Sequence, residues 1–453
     1  MKKLLIGFLA VGLVMGFALT ASAQPNLKAS GQLYLYGTYA DNPSLLKNGD
    51  SRANIANRLR MQFEIQVQEG LKLTTRFDAL ERVWGEQPAA AAPSPAASTD
   101  NMGAVATERN ISWERAYVTF NALYGVFDVG YQASRVWGTC AFCDDFDSDA
   151  GIHYRYMMGP WTFGLEYEKR ADASASGEGS RQGGYTVGGT DNDHDVYHIF
   201  AIYRWATGQA GLRYELDRNA TDGALAVTEW VSTYHELAPY LQWVSGPFSI
   251  EAEFRYIWGK QDFDGTTTDI DRRGWSLYLN PKYSMGAFYG GLEFAYITGD
   301  DPATSDKNEA GVSGGQAWDP LLMYGNYWFS KHQAILGQVR DKTGAYVNNT
   351  PISGGGGNET NLIMFKPYVG WKVNPQLEVV AQYAWLKADE VASGYDDEYG
   401  KEFDIYATYK LYNNLTYTVG FGYFWTGDYF KQGPANLNVD DTWLLMNALN
   451  FTF

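Results

Sequence analysis

Apolar and polar residues alternate strictly along several parts of this chain, and the alternation is clearest from Arg58 to Gln68. In that stretch every odd position is apolar, beginning with Leu59, and every even position is polar. Neighbouring side chains point to opposite faces of a β-strand, so a period of two predicts a strand with one apolar and one polar face. A two-residue turn at Glu69-Gly70 leads into a second alternating stretch, Leu71 to Leu80. The pattern therefore predicts an antiparallel hairpin.

Hairpins of this kind repeat along the whole chain. Eight tight turns, each followed by an alternating strand, fall near Glu69-Gly70, Ala122-Leu123, Gly159-Pro160, Thr207-Gly208, Gly246-Pro247, Met285-Gly286, Asn374-Pro375 and Asn413-Asn414. Longer connections, several of them rich in Gly, Ser, Ala or Asp, alternate with these turns. Eight turns between two chain ends on the same side predict about 18 strands, with 16 to 20 as the range.

The start of the chain has the layout of a secretory signal peptide. The charged residues of Met1-Lys2-Lys3 precede an apolar stretch from Leu4 to Leu19 and the small residues Ala21-Ser22-Ala23. We expect residues 1–23 to be cleaved, which leaves residues 24–453 as a single domain. Beyond the cleavage site no apolar run reaches roughly 20 residues, the length that a transmembrane helix needs. If the exported chain spans a membrane, it must do so as a closed barrel, because other sheets leave backbone groups unsatisfied in lipid.

The end of the chain is an alternating strand from Asp441 to Phe453. It resembles the ending of bacterial outer-membrane β-barrels, in which the terminal Phe and the alternating apolar residues are recognised by the barrel assembly machinery. Phe451 and Phe453 would form that signal here. The resemblance implies an all-β chain that folds as a transmembrane, antiparallel, up-and-down β-barrel. It also implies the outer membrane of a Gram-negative bacterium, with membrane lipid and lipopolysaccharide as partners.

One interval breaks the regular spacing of the turns. The turns near Met285 and Asn374 lie about twice as far apart as most others, so residues 300–358 form either a long loop or a hidden hairpin that would raise the count to 20. The segment from Asp319 to Arg340 is apolar on both faces, whereas a strand between lipid and water should alternate. We therefore favour a long loop that folds into the barrel with a short helix.

Composition agrees with a barrel and argues against nucleic acid as a partner. Aromatic residues make up 16% of the chain, including 33 Tyr and 15 Trp, as two aromatic girdles would require. The net charge of −17 is opposite in sign to that of a nucleic-acid-binding surface. Much of the acidic charge falls in the long connections. That charge either keeps these loops solvated or binds divalent cations that bridge to lipopolysaccharide.

In its overall pattern the mature chain resembles the homotrimeric porins of Gram-negative bacteria. The resemblance implies a homotrimer whose water-filled channels pass small hydrophilic solutes and ions by passive diffusion, without a cofactor. In such porins an inward-folded loop narrows the pore, and the candidates here are the late loop described above and the Arg135–Ala150 loop. The PEFGG motif of that family loop is absent from this chain, so the resemblance assigns the role to no particular arginine.

The polar faces of the strands supply the residues that we expect to line the pore. They are Arg58, Arg60, Lys72, Arg76 and Arg115 on early strands, and Glu251, Glu253 and Arg255 on a middle strand. A charge facing lipid at mid-membrane would cost roughly 2–4 kcal/mol, so these faces should meet water. Two interpretations stay open. In the first, the charges serve only to keep the interior wet and paired. In the second, basic residues of one wall face carboxylates of a folded-in loop and set ion preference through a transverse field.

The chain has two cysteines, Cys140 and Cys143, in the Arg135–Ala150 loop. No histidine directly follows Cys143, as a haem-attachment site would require. No second cysteine pair completes a four-cysteine zinc site. In an exported chain this spacing favours a loop disulfide over free thiols, and a redox or metal function is the remaining alternative. The nearby Asp145, Asp147 and Asp149 are candidate calcium ligands, although the glycine and glutamate positions of an EF-hand loop are not matched.

The sequence offers little sign of catalysis. The H-E-x-x-H motif does not occur, and the five histidines show no catalytic spacing. We therefore expect a channel and not an enzyme. Two alternatives stay open: a barrel that sheathes an electron-carrying haem protein, and an outer-membrane enzyme or surface-binding barrel.

If Cys140 and Cys143 form a disulfide, the purified protein should expose no titratable thiol until it is reduced. We expect Cys140→Ser to leave folding and single-channel conductance nearly unchanged, because the closed hydrogen-bond ladder, not a loop staple, holds a barrel together. Thiol titration before and after reduction, with conductance of the variant in planar bilayers, checks both statements. A thiol that titrates in the unreduced protein would contradict the disulfide.

Overall fold

The computed structural model describes residues 25–85, 111–133, 137–139, 148–172, 193–221, 230–263, 268–311, 318–326, 328–329, 360–431 and 436–453. Within them the secondary structure is almost entirely β. The strands are β1 (Asn26–Asp41), β2 (Arg52–Gln68), β3 (Leu71–Val83), β4 (Ile111–Ala122), β5 (Gly125–Ala133), β6 (Ser148–Met158), β7 (Trp161–Asp172), β8 (Asp193–Trp205), β9 (Gly208–Asn219), β10 (Trp230–Ser245), β11 (Phe248–Phe263), β12 (Ile270–Met285), β13 (Phe288–Ile297), β14 (Lys307–Asn308), β15 (Leu362–Lys372), β16 (Leu377–Lys387), β17 (Glu398–Tyr412), β18 (Leu415–Thr426) and β19 (Thr442–Thr452).

Eighteen of these described strands form one closed antiparallel barrel. Each pairs with the next along the chain, and β19 returns to pair with β1 from Gln32↔Thr452 to Asp41↔Trp443. The two-residue β14 is the exception, since it pairs in parallel with β12 at the rim. Because β13 pairs directly with β15, the long interval adds no barrel strand. The prediction of 18 strands is confirmed, and the alternative of 20 is wrong.

Alternation along each strand gives the barrel two different faces. On the outer face apolar side chains such as Leu165, Ile199 and Val369 are about half exposed, as expected of residues that meet lipid. Aromatic pairs cluster at both ends of the strands. Trp161–Tyr203 and Phe288–Trp371 lie near the short turns, whereas Trp275–Tyr296 and Tyr39–Trp443 lie near the long connections. These pairs are the two girdles that the aromatic content predicted.

The barrel closes at the chain ends through a reciprocal backbone pair. The amide of Gly31 donates to the carbonyl of Phe453 at 2.9 Å, and the amide of Phe453 donates to the carbonyl of Gly31 at 3.1 Å. The Phe453 ring stacks on Phe451, with ring centroids 5.5 Å apart. A Cβ at Gly31 would lie 2.6 Å from that ring and 2.7 Å from the carbonyl oxygen of Arg60. The terminal strand therefore fits only because position 31 has no side chain.

Two of the long connections enter the barrel. Residues 137–139 of the β5–β6 connection bury Trp137 against the inner wall, and residues 318–326 of the β13–β15 connection bury Leu321, Met323 and Tyr324. Trp328 and Phe329, in that second connection, are helical. Both connections named from the sequence as inward-folding candidates thus reach the interior.

Helical structure is sparse in the part of the chain that the structure describes. A 3-10 helix covers Asp428–Lys431 in the last long connection. Among the described residues no helix is long and apolar enough to cross a membrane. The predicted signal peptide lies outside the described residues and stays a prediction.

We expect Gly31→Ala to destabilise the barrel, because the added methyl group must displace the Phe453 ring or the β2 backbone. Overpacking of this kind typically costs about 1–3 kcal/mol. The measurement is the urea midpoint at which the heat-modifiable, folded band disappears on gels. Gly290→Ala is the matched control, since its Cβ would meet only the carbonyl oxygen of Tyr368, at 3.2 Å. Equal midpoints for the two variants would contradict the role of Gly31 in closure.

Candidate functional site

The predicted basic wall lies on the inner face of β2, β3 and β4. Arg58 and Arg60 point inward, and the guanidinium of Arg58 lies 4.9 Å from the ring centroid of Trp328, which belongs to the inward-folded segment. Leu59 and Met61 take the opposite, lipid-facing side. This arrangement follows from the alternation of β2, because residues two apart share a face.

Most charges of this wall are paired across strands. Arg60 forms a bidentate interaction with Asp78, with both hydrogen bonds at 2.7 Å. Glu114 accepts hydrogen bonds from Arg60 at 3.3 Å and from Arg76 at 2.8 Å. Arg58 is less tightly held, since its Nε is 3.8 Å from the nearer Asp78 oxygen. Arg58 is therefore less compensated than Arg60 and Arg76.

Lys72 and Arg115 extend the same wall. The ammonium of Lys72 is 3.3 Å from the Glu64 carboxylate, and both side chains remain more than a quarter exposed. Arg115 stands opposite Arg76 at an irregularity of the β3–β4 register, which places these two basic groups side by side.

The second predicted group, on β11, lies on the wall beside the β5–β6 connection. Glu253 is buried and its carboxylate accepts hydrogen bonds from the backbone amide and the hydroxyl of Thr139, both at 2.7 Å. Arg255 is also buried, and its Nε donates to Glu236 at 2.9 Å. Glu251 lies two residues from Glu253 on the same face and is half-buried. The structure thus brings Glu253 to a folded-in loop, whereas Arg255 belongs to an ion pair within the wall.

Trp137 fixes the tip of the β5–β6 connection inside the barrel. Its indole N–H donates to the carbonyl of Ala238 at 3.0 Å, and its ring packs against Phe200 and Tyr240. The guanidinium of Arg213 lies 5.7 Å from the same ring centroid. This side chain therefore joins its loop to the inner face of β8, β9 and β10.

Two buried carboxylates of β17 hold the other inward segment by its backbone. Glu402 accepts hydrogen bonds from the amides of Met323 at 2.8 Å and Tyr324 at 3.0 Å. Asp404 accepts one from the amide of Leu322 at 3.1 Å and another from the side chain of Gln382 at 2.8 Å. Both carboxylates have no exposed surface. Three consecutive peptide N–H groups thus find their acceptors on one strand of the wall.

A second pair of wall residues holds the start of this segment. The Trp318 indole donates to Glu293 at 2.9 Å, and Glu293 is also 2.8 Å from the ammonium of Lys366. That ammonium in turn donates to the carbonyl of Pro320 at 2.5 Å. The wall therefore binds this segment both through backbone groups and through the indole of Trp318.

These contacts show how the wall holds the two inward segments. At the anchoring points the wall supplies the carboxylates and the segments supply peptide N–H groups, whereas the contact with Arg58 is the aromatic ring of Trp328. Buried amides need an acceptor, and a carboxylate satisfies two at once, which explains this polarity. The interpretation in which loop carboxylates face the basic wall stays a prediction, and Asp319 of the inward segment is a carboxylate whose charge, like that of Arg58, acts on Tyr34.

A row of titratable residues crosses the middle strands, and alternation along the chain does not show that they align. His153, Glu166, His198 and Glu215 are consecutive register partners on β6, β7, β8 and β9. His198 Nε2 lies 2.8 Å from Glu215. The row could be found only by combining two facts: each residue occupies an inward-facing position of its strand, and the strand register places the four residues opposite one another.

The loop residues named from the sequence fall largely outside the described residues. This is so for Cys140, Cys143, Asp145 and Asp147, so the disulfide and the loop calcium site stay predictions. Asp149 lies on β6, where its carboxylate is 3.5 Å from Arg170.

The outer rim carries acidic side chains in the described connections. Asp389 accepts a hydrogen bond from the amide of Gly299 at 3.0 Å. Desolvation and then the neighbouring charge of Asp389 raise the pKa of Glu390 above its usual value. Bridging to lipopolysaccharide through divalent cations stays a prediction.

A model of the Gram-negative porin family matches residues 10–389. No curated protein matches the chain. Among solved structures, OpdL of Pseudomonas aeruginosa is similar at 11% identity and a TM-score of 0.53, over 94% of this chain and 99% of OpdL.

Two further porin structures from Pseudomonas aeruginosa give the same fold. OpdQ has 12% identity and a TM-score of 0.51, over 94% of this chain and 99% of OpdQ. OccK8 (OprE) has 12% identity and a TM-score of 0.50, over 94% of this chain and 98% of its own. At these identities the likeness shows the fold alone, whereas the family model covers most of the chain. The chain therefore belongs to the Gram-negative porins and forms an outer-membrane channel through which small solutes diffuse.

Proposed function

We propose that two wall-anchored inward segments narrow this channel and that the basic wall of β2–β4 sets its ion preference. The observation that carries the proposal is the anchoring of residues 322–324 by Glu402 and Asp404, which holds Trp328 against Arg58. A solute crossing the barrel would pass beside this segment, along the part of the charged wall that it leaves open. Small hydrophilic solutes and ions are the cargo that such an interior suits.

Membership in the porin family supports two finer proposals. One is a homotrimer assembled through the outer faces of the barrels. The other is biogenesis through a cleaved signal peptide, residues 1–23, with recognition of Phe451 and Phe453 by the barrel assembly machinery. Family membership likewise supports a channel over an enzyme. The haem-sheath alternative requires room for a partner inside the barrel, and the described segments around Trp137 and Tyr324 reduce that room.

Removing the β17 anchors should widen the channel. In Glu402→Ala with Asp404→Ala, three buried amides lose their acceptors, at about 1–3 kcal/mol each. We expect the segment to leave the wall and single-channel conductance in planar bilayers to rise, while the heat-modifiable barrel persists. Glu402→Gln with Asp404→Asn is the matched control, because its carbonyl oxygens can still accept these hydrogen bonds. Unchanged conductance in the folded alanine variant would contradict narrowing by this segment.

Charge reversal at Arg58 should change ion selectivity. Arg58→Glu places a carboxylate beside Asp78 on the inner wall, so we expect the reversal potential in a salt gradient to move toward cation selectivity. The double variant with Arg60→Glu should move it further, with a larger loss of stability, since Arg60 is the bidentate partner of Asp78. The effect should shrink near 1 M salt, where the screening length falls to roughly 3 Å.

Lys47→Glu is the control for this measurement. It makes the same charge change on an exposed residue of the first long connection. A reversal potential that moves equally in both variants would show that the wall of β2–β4 is remote from the selective part of the pore.

A further inference from the structure

Three buried side chains on the inner face of β6 and β7 converge on one point. They are His153, Glu166 and Glu168, with 2%, 4% and 1% of their surfaces exposed. One candidate ligand atom from each lies within 4.8 Å of the other two. His153 Nε2 is 3.3 Å from Glu168 Oε1, and its Nδ1 is 3.9 Å from Glu166 Oε1. The strand register produces this cluster, since His153 is opposite Glu166 and Glu168 follows on the same face.

The Nε2 atom of His153 is buried and makes no hydrogen bond of good geometry with a described residue, although it lies 3.3 Å from Glu168 Oε1. Buried polar atoms normally have a partner, so this nitrogen marks a place where a further atom belongs. Arg170 does not fill the place, because it approaches the other oxygen of Glu168, at 3.6 Å.

His198 supports the cluster from β8. Its Nδ1 lies 3.3 Å from Glu166 Oε2, and its Nε2 is held by Glu215 at 2.8 Å. A metal-binding carboxylate usually has a neighbour of this kind that fixes its orientation.

The ligand chemistry and the His153–Glu168 spacing both fit a transition-metal ion. Zinc binds imidazole nitrogen and carboxylate oxygen at about 2.0–2.2 Å, so neighbouring ligand atoms of a tetrahedral site are about 3.3–3.6 Å apart. The His153–Glu168 distance of 3.3 Å has this value. We propose that His153, Glu166 and Glu168 bind a divalent ion of the Zn²⁺ class, with a water molecule in the fourth position and His198 as the positioning residue for Glu166.

The ion would also change the electrostatics of the channel interior. Two carboxylates in this cluster carry two negative charges, and a divalent cation cancels them. It would further join β6 to β7 through side chains. Hard cations such as Mg²⁺ prefer all-oxygen sites, so the imidazole selects against them.

Calorimetric titration of the folded, detergent-solubilised barrel with ZnCl₂ tests the proposal. Metal is first stripped with EDTA, and the protein carries Cys140→Ser and Cys143→Ser so that the thiols cannot bind zinc. We expect one site per chain, no displacement by excess MgCl₂, and affinity weakened by more than about tenfold in Glu168→Gln, since even outer-shell changes cost about 10–100-fold. His194→Ala alters a histidine of β8 that is paired with Asp217 and is not one of the proposed ligands, so this variant should bind zinc like the parent.

X-ray absorption of the zinc-loaded parent protein gives a measurement that needs no variant at the site. Scattering from one imidazole and from oxygen ligands at about 2.0–2.2 Å is expected. Absence of a calorimetric site, equal affinity in Glu168→Gln, or a first shell without imidazole would overturn the proposal. Any of these results would assign the cluster to the ion-pair network of the wall and leave the channel function untouched.

Discussion

The requirement that every backbone polar group in lipid be satisfied within the protein determines the rest of this structure. The eighteen-strand ladder meets the requirement only because β19 returns to β1, and the reciprocal Gly31–Phe453 pair is the last contact of that closure. Closure then divides the side chains into two sets. The outer set is apolar with aromatic ends, and the inner set can be polar at no cost to membrane insertion.

The same requirement operates inside the barrel. A connection that folds inward carries amides that the ladder does not satisfy, so the wall must supply acceptors. Glu253 serves residue 139, whereas Glu402 and Asp404 serve residues 322–324. Carboxylates that would be expensive alone in the interior are thus matched to donors that would be equally expensive alone. At these positions the carboxylates can be buried because they bind the amides of the inward segments, and the segments stay inside because the carboxylates hold them.

Most of the fold could be predicted from the sequence, because alternation and turn-forming residues are local features of the chain. Alternation along the chain predicts the eight turns and the 18 strands. The absence of alternation predicts the inward course of residues 318–326 and 328–329. Register is different, since sliding two strands by two residues preserves every inner and outer face. The row from His153 to Glu215 depends on register across four strands, and no local pattern reveals it. The anchoring by Glu402 was equally hidden, because alternation places it inside but does not show what it contacts.

Charge pairing explains why neighbouring residues on one wall differ in their capacity to act on a solute. Arg60 and Arg76 are committed to Asp78 and Glu114, so much of their field is cancelled within a few ångströms. Arg58 has a longer contact with Asp78 and rests on the face of Trp328, an interaction that fixes its position without neutralising it. Selectivity in a balanced interior therefore depends on incompletely paired groups and not on the total number of charges. The inward segment contributes to both properties of the channel, because the Trp328 ring, which lies inside the barrel, also holds the incompletely paired Arg58.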